Sequence, residues 1–182
     1  PIPALASHDS ALKTARSHYD SLDCPVYVTP GNHDVGDKPN SWVPAPNADA
    51  NSHGRFEAAW GRPWVAFDFQ DCRFVILNSS LMNTGLAPEI DQQHWLEQDL
   101  AESRRAGKRI FVCLHYPFFI DSPTEDDHYD NIAEPARSRL LGLLADHGVE
   151  AVFSGHAHIF FYNRFRETDL YTLPSVTFVR PG

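Results

Sequence analysis

The sequence predicts a layered α/β domain, and three observations carry that reading. Helical and strand patterns interleave along the 182 residues in the order α-β-loop-ββ-α-β-α-β-ββ. Two runs, Arg109–Leu114 and Val149–Ser154, are apolar on both faces, as central strands covered from both sides are. Gly107 and Gly148 stop the helical stretches that lead into those runs.

Taken in order, residues 4–20 pattern as a helix, with Leu5, Leu12 and Ala15 towards one face. Pro25–Thr29 reads as a short strand. Gly36–Gly54 holds three prolines and five Asn or Asp residues and reads as one long surface loop. Loops of that length are uncommon in compact domains and are often functional. Val65–Phe69 and Arg73–Leu77 flank Gln70-Asp71-Cys72 as a hairpin. Pro88–Ala106 and Glu134–His147 are helices, the second with Leu140, Leu141 and Leu144 on one face. Phe160–Phe165, Leu170–Leu173 and Val176–Val179 are further strands.

Composition narrows the function classes. Fifteen Lys and Arg against 24 Asp and Glu give a formal charge of −9. Nucleic acids and anionic membranes need a basic face, so neither is expected as a partner. No apolar run reaches the length of a membrane span. Three cysteines (Cys24, Cys72, Cys113) without a CxxC pair predict neither a disulfide framework nor a thiolate zinc site. Cys72 and Cys113 sit in apolar runs and read as buried thiols, which fits a reducing, cytoplasmic setting. The chain starts at Pro1 and ends at Gly182, and both ends read as cuts through a longer protein.

Chemistry concentrates where strands end. Val26–Pro30 runs into Gly31-Asn32-His33-Asp34, Ile110–Leu114 into His115-Tyr116-Pro117, and Ala151–Ser154 into Gly155-His156-Ala157-His158. Open α/β sheets place their sites at the carboxyl ends of strands. Three strands would therefore bring Asn32, His33, His115, His156 and His158 to one edge. A single histidine there is usually a capping or core residue, whereas four at three strand ends point to a site. In Gly-His-Ala-His an extended backbone would aim both imidazoles the same way, and a bent one would aim them at two different points. Imidazole with amide or carboxylate oxygen suits Zn, Fe and Mn, and the lack of thiolate disfavours a closed structural zinc site.

These loops resemble the second half of the calcineurin-like metallophosphoesterase pattern, D-x-H … G-D-x-x-D/N … G-N-H-D/E … H … G-H-x-H. The likeness spans residues 26–158. The stretch from Phe56 to Asn131 is similar to the branch related to purple acid phosphatases. The resemblance implies a layered β-sandwich flanked by helices and a phosphoric ester hydrolase. It implies two divalent or trivalent metal ions (Fe, Zn or Mn) and a phosphorylated small molecule or phosphoprotein as substrate. Asn32, His115 and His156 would ligate one metal and His158 the other. A metal-activated hydroxide would attack phosphorus. His33 would assist the leaving group, and Asp34 would hold His33 in orientation.

The first two elements of the pattern have no counterpart before Gly31. They are expected upstream of Pro1, so that residues 1–182 form one such domain without its N-terminal βαβ portion. Two letter matches lie later in the chain: Asp126-Asp127-His128 for D-x-H, and Gly36-Asp37-Lys38-Pro39-Asn40 for G-D-x-x-N. Both fall in polar loops, out of order, and read as coincidence. The alternative is a truncated fragment that is non-catalytic or binds a single metal. A metallo-β-lactamase-type site wants H-x-H-x-D-H, and Gly155–Phe160 lacks the Asp-His. His8, His18, His53, His94 and His147 read as surface or packing residues, and Glu125–Asp130 as a solvated loop bordering the site. Trp42, Trp60, Trp64 and Trp95 read as core or loop anchors. Arg180 is the only basic residue near the C-terminal end.

Overall fold

The computed structural model describes residues 5–176. The α/β class holds, and among the described residues the layers are one six-stranded mixed sheet and its helices. The elements run α1 (Leu5–Asp20), α2 (Asn32–Val35), α3 (Ala50–Trp60), β1 (Val65–Phe69), β2 (Cys72–Ile76), α4 (Ala87–Arg105), β3 (Arg109–Cys113), α5 (Ala136–Asp146), β4 (Val149–Ser154), β5 (Phe161–Phe165) and β6 (Thr168–Thr172). The sheet order is β1-β2-β3-β4-β6-β5. The two outer hairpins are antiparallel, and β2, β3, β4 and β6 are mutually parallel.

The sequence explains the central strands. Ile110 and Val112 of β3 and Val149 and Val152 of β4 are buried and face α4 and α5. Leu96 and Leu100 of α4, with Leu140, Leu141 and Leu144 of α5, complete that core. Burying a side chain of this size stabilises by roughly 1.5–3 kcal/mol. The opposite face carries an aromatic row. Phe67, Phe74 and Phe111 stack across β1, β2 and β3 with centroids 5.2 and 5.3 Å apart. Cys113 shares that face and is half-buried, as is Cys72, while Cys24 is exposed, so neither expected buried thiol is fully enclosed.

Pro25–Thr29 is not a strand. Its alternating apolar residues fit a strand, but a strand exists only through a partner, and none among the described residues pairs with it. The segment instead lays Tyr27 on Phe67, ring centroids 3.7 Å apart. Of the expected strand Val176–Val179, residues 177–179 lie outside the described residues, as does Arg180.

The loop after α2 also differs from expectation. It ends at Asp49, which accepts the Ser52 N–H at 2.7 Å and caps α3. A bridge between Asp37 and Asn47 closes it on itself. Gly36 makes this closure feasible. Its φ is +93°, and a Cβ there would lie 2.8 Å from the Ala48 backbone nitrogen. Asp37 and Lys38 are therefore buried, only 1% and 2% exposed, where a solvated loop was expected.

One helix-to-loop contact positions the site. Buried Gln92 of α4 accepts the Asn78 N–H at 2.7 Å and donates to the Asn78 carbonyl at 3.1 Å. This fixes the turn that carries Ser79, whose hydroxyl accepts the N–H groups of His115 and Tyr116 at 3.1 and 3.0 Å. Gln92→Ala strips both backbone groups of their partner. The expected loss of unfolding free energy is about 2 kcal/mol or more, and urea titration measures it.

Candidate metal centre

The β3–β4 register sets the geometry. Cys113 pairs with Phe153, so His115 and His156 follow two and three residues beyond paired positions. The ladder continues past the strands: Leu114 N–H donates to Phe153 O at 3.0 Å and Gly155 N–H to His115 O at 2.9 Å. His115 Nε2 consequently lies 3.1 Å from His156 Nδ1. The Asn32 side chain, at the start of α2, brings Oδ1 to 2.9 Å from the same His115 nitrogen.

Gly31 allows this approach. A Cβ on it would lie 3.1 Å from both Cε1 and Nδ1 of His115, a crowded contact that would push the imidazole by a few tenths of an ångström. Asp34 accepts the Gly31 N–H at 2.9 Å and so ties down the start of α2. A cavity of about 350 Å³ opens beside the cluster, lined by Thr29, His115, Gly155, His156, His158 and Leu173. His33, on α2, is exposed. His33 and His158 are both close enough for their charge to act on His115. Burial first, then these two neighbours, hold His115 down to about 4, so its ring is neutral near pH 7 and has a lone pair to offer.

The Gly-His-Ala-His segment is bent, not extended. His156 and His158 both have φ of 61°, in the left-handed region. The Ala157 N–H donates to the Gly155 carbonyl at 2.7 Å. His156 Nδ1 reaches His115 Nε2, and His158 lines the same cavity.

The donor set fits a cation. Ligands about 2.1 Å from one ion and at right angles stand about 3.0 Å apart. Two imidazole nitrogens and an amide oxygen at 2.9 and 3.1 Å match that spacing. Among the described residues no three His, Cys, Asp or Glu side chains converge on a metal-sized point, and this cluster needs the Asn32 amide as its third donor.

Several neighbours had no clear signal in the sequence. Tyr116 is buried, and its ring stands 4.2 Å from that of His156. Its hydroxyl donates to Asp37 Oδ1 at 2.8 Å. Burial first, then the Asp37 charge, push the Tyr116 phenol upward, so it stays a donor. The run after Glu125 is an irregular loop bordering the site, with Asp126 and Asp127 exposed and its later residues forming a wall. Tyr129 packs on His156 at 4.8 Å, and Asp130 Oδ1 lies 3.6 Å from His156 Nε2. Glu125 organises the run, accepting the N–H groups of Ile120 and Asp121 and the amide of Asn131. Burial opposes its ionisation, but these donors outweigh it and hold Glu125 down to about 2. Of the D-x-H letters there, Asp126 is exposed and His128 pairs with Glu125, while Asp127 between them pairs with buried Arg137. Of the other histidines, His18 and His94 are exposed and His53 is buried.

Lys38 pins that wall. Its ammonium donates to the carbonyls of His128, at 2.7 Å, and Asn131, and sits 5.1 Å over Trp42 and 5.4 Å over Tyr116. Burial pushes it from its ordinary 10.5 down to about 8, against the pull of Asp127, Asp130 and Asp37. A lysine depressed on folding carries a cost below its folded value, and that cost is shed as pH climbs towards the unfolded value. The wild type is therefore expected to gain stability over Lys38→Met between pH 8 and pH 10, by roughly 1–3 kcal/mol. Denaturant titrations of both proteins across that range check it, and parallel curves would refute it.

The comparisons with known proteins follow the same lines. The calcineurin-like phosphoesterase family model matches residues 7–160. The chain is 34% identical over 152 residues to serine/threonine-protein phosphatase CPPED1 of Bos taurus, covering 81% of this chain and 46% of that protein. It is 28% identical over 153 residues to purple acid phosphatase 22 of Arabidopsis thaliana, covering 78% of this chain and 32% of that protein. The structure of a dimetal phosphatase from Danio rerio superposes with a TM-score of 0.64 at 15% identity, covering 94% of this chain and 67% of that one. The chain thus spans under half the length of these two curated relatives. No described helix is long and apolar enough to cross a membrane.

Proposed function

The chain belongs to the calcineurin-like phosphoesterase family, and we propose that it hydrolyses phosphate esters at a pair of metal ions held beside β3 and β4. The observation that carries this reading is that Asn32 Oδ1 and His156 Nδ1 lie 2.9 and 3.1 Å from the same His115 Nε2. In this reading those three hold one ion and His158 helps to hold the other, with Fe, Zn or Mn suited to the donors. When bound, such a pair supplies positive charge to phosphoryl oxygens and hydroxide at neutral pH.

The chain's own groups do the rest. In this reading exposed His33, near enough for its charge to act on His115, hands a proton to the departing oxygen, or hydrogen-bonds it. Asp34 steadies the turn that presents His33. Asp130 and Asp126 make the wall acidic, which disfavours substrates with additional negative charge nearby. The substrate is a phosphorylated small molecule or phosphoprotein. The serine/threonine phosphatase name of the bovine relative favours the latter.

A second reading has an observation behind it. The described residues offer three donors to one ion and only His158 to the other. Residues 1–182 alone would then hold one ion without turnover. Elemental analysis of the purified chain, with activity on p-nitrophenyl phosphate in the same sample, separates the two. About two ions per chain with turnover supports the dinuclear enzyme, and one ion without turnover supports the single-metal form.

His33→Ala is expected to keep the wild-type metal content. It should lose about 10²–10⁴-fold in turnover on an alkyl phosphate, and much less on p-nitrophenyl phosphate, whose leaving group needs no proton. Equal losses of metal and of both activities would rule out the leaving-group role. The comparison uses the longest form of the protein that turns over substrate.

A further inference from the structure

Asp37 stands under the site without touching the cavity, and the reading above leaves it unused. It is 1% exposed. Its Oδ1 accepts from Asn32 Nδ2 at 2.8 Å, from the Tyr116 hydroxyl at 2.8 Å and from the Tyr129 hydroxyl at 3.4 Å. Asn32 Nδ2 also donates to the Tyr129 hydroxyl at 3.0 Å. Its other oxygen, Oδ2, is buried and has no hydrogen-bond partner among the described residues. A buried acceptor held this way costs stability and calls for a reason.

The reason lies in the symmetry of an amide. The two ends of the Asn32 side chain have nearly the same shape but opposite hydrogen-bonding sense. Turned one way it presents an oxygen to His115 and His156, and turned the other way it presents an NH₂ that repels a cation. An oxygen already receiving several donors can accept from the NH₂ end and repels the carbonyl end. We propose that Asp37 is a positioning residue that fixes the Asn32 amide with its oxygen towards the two histidines, so that the cluster can take a metal cation. The inference rests on reading Asn32, His115 and His156 as a metal site. Tyr116 links the same oxygen to the strand end that carries His115, so amide and imidazole are set by one anchor.

The test is a double-mutant cycle on Co(II) affinity, followed by the visible absorption of the bound ion. Asn32→Asp gives a ligand with two acceptor ends, one of which then faces Asp37. It is expected to weaken Co(II) binding about 10- to 100-fold. Adding Asp37→Asn supplies an NH₂ to that end, and the double variant is expected to recover to within about threefold of wild type. Equal losses from Asn32→Asp in both backgrounds would overturn the proposal. Thermal midpoints of all four proteins separate this pattern from a purely structural role, which would move the midpoints and leave the affinities additive. A wild-type chain that takes up no Co(II) sinks the metal reading itself. The orientation is then read by NMR of the metal-free chain. Slowly exchanging Asn32 side-chain N–H protons with contacts to the Tyr129 ring support it, and rapid exchange without them overturns it.

Discussion

The pairing of β3 with β4 is the constraint on which the rest of the molecule depends. Parallel neighbours end at the same edge of a sheet, so whatever follows them is delivered to one place. With Cys113 set against Phe153, the next few residues of both strands have no freedom to diverge. The helices serve that pairing. Leu100 of α4 and Leu144 of α5 cover its buried face, and Gln92 reaches past the core to hold the turn on which the His115 backbone hangs. The hydrophobic core and the polar cluster are thus one arrangement seen from two sides.

Around that edge the chain buries charge, which is costly unless every charge is met. Asp37, Lys38 and Arg137 are each nearly inaccessible. Asp37 and Lys38 are met by phenols, an amide, backbone carbonyls and aromatic faces, and Arg137 by the carboxylates of Asp127 and Glu134 and the Glu125 carbonyl. Such groups define direction as well as energy. An apolar replacement could fill the same volume, but it would not dictate which way an amide or a loop carbonyl must point. The wall from Glu125 to Asn131 is held at one end by Arg137 and at the other by Lys38, and so keeps its position with little secondary structure of its own.

Much of this was legible in the sequence, and the limits were physical. Periodicity placed all six strands of the described residues and three of the four longer helices, with boundaries off by a residue or two, and it missed α3, whose first turn lies inside the stretch read as a loop. The histidines after β3 and β4 were visible because polar groups at the ends of apolar strands are conspicuous. Asp37 was not, because Gly-Asp-Lys-Pro has the letters of a solvent turn. What buries it is Tyr116, 79 residues away, and Tyr129, 92 residues away, and no local pattern encodes such contacts. Pro25–Thr29 failed for the converse reason. Its residues favour a strand, but pairing is a property of two segments, and Tyr27 found a ring to stack on instead.

The left-handed backbone at His156 and His158 has a consequence for any attempt to move this cluster elsewhere. Each such residue costs on the order of 1–3 kcal/mol that its surroundings must offset. The Gly-His-Ala-His tetrapeptide is therefore not a portable cassette. Spliced onto the end of a foreign strand, it would relax to an extended backbone and turn both rings to one side. A transplant has to carry the turn's own scaffolding, beginning with the bond from the Gly155 N–H to the His115 carbonyl, so the smallest graftable unit is a pair of parallel strand ends.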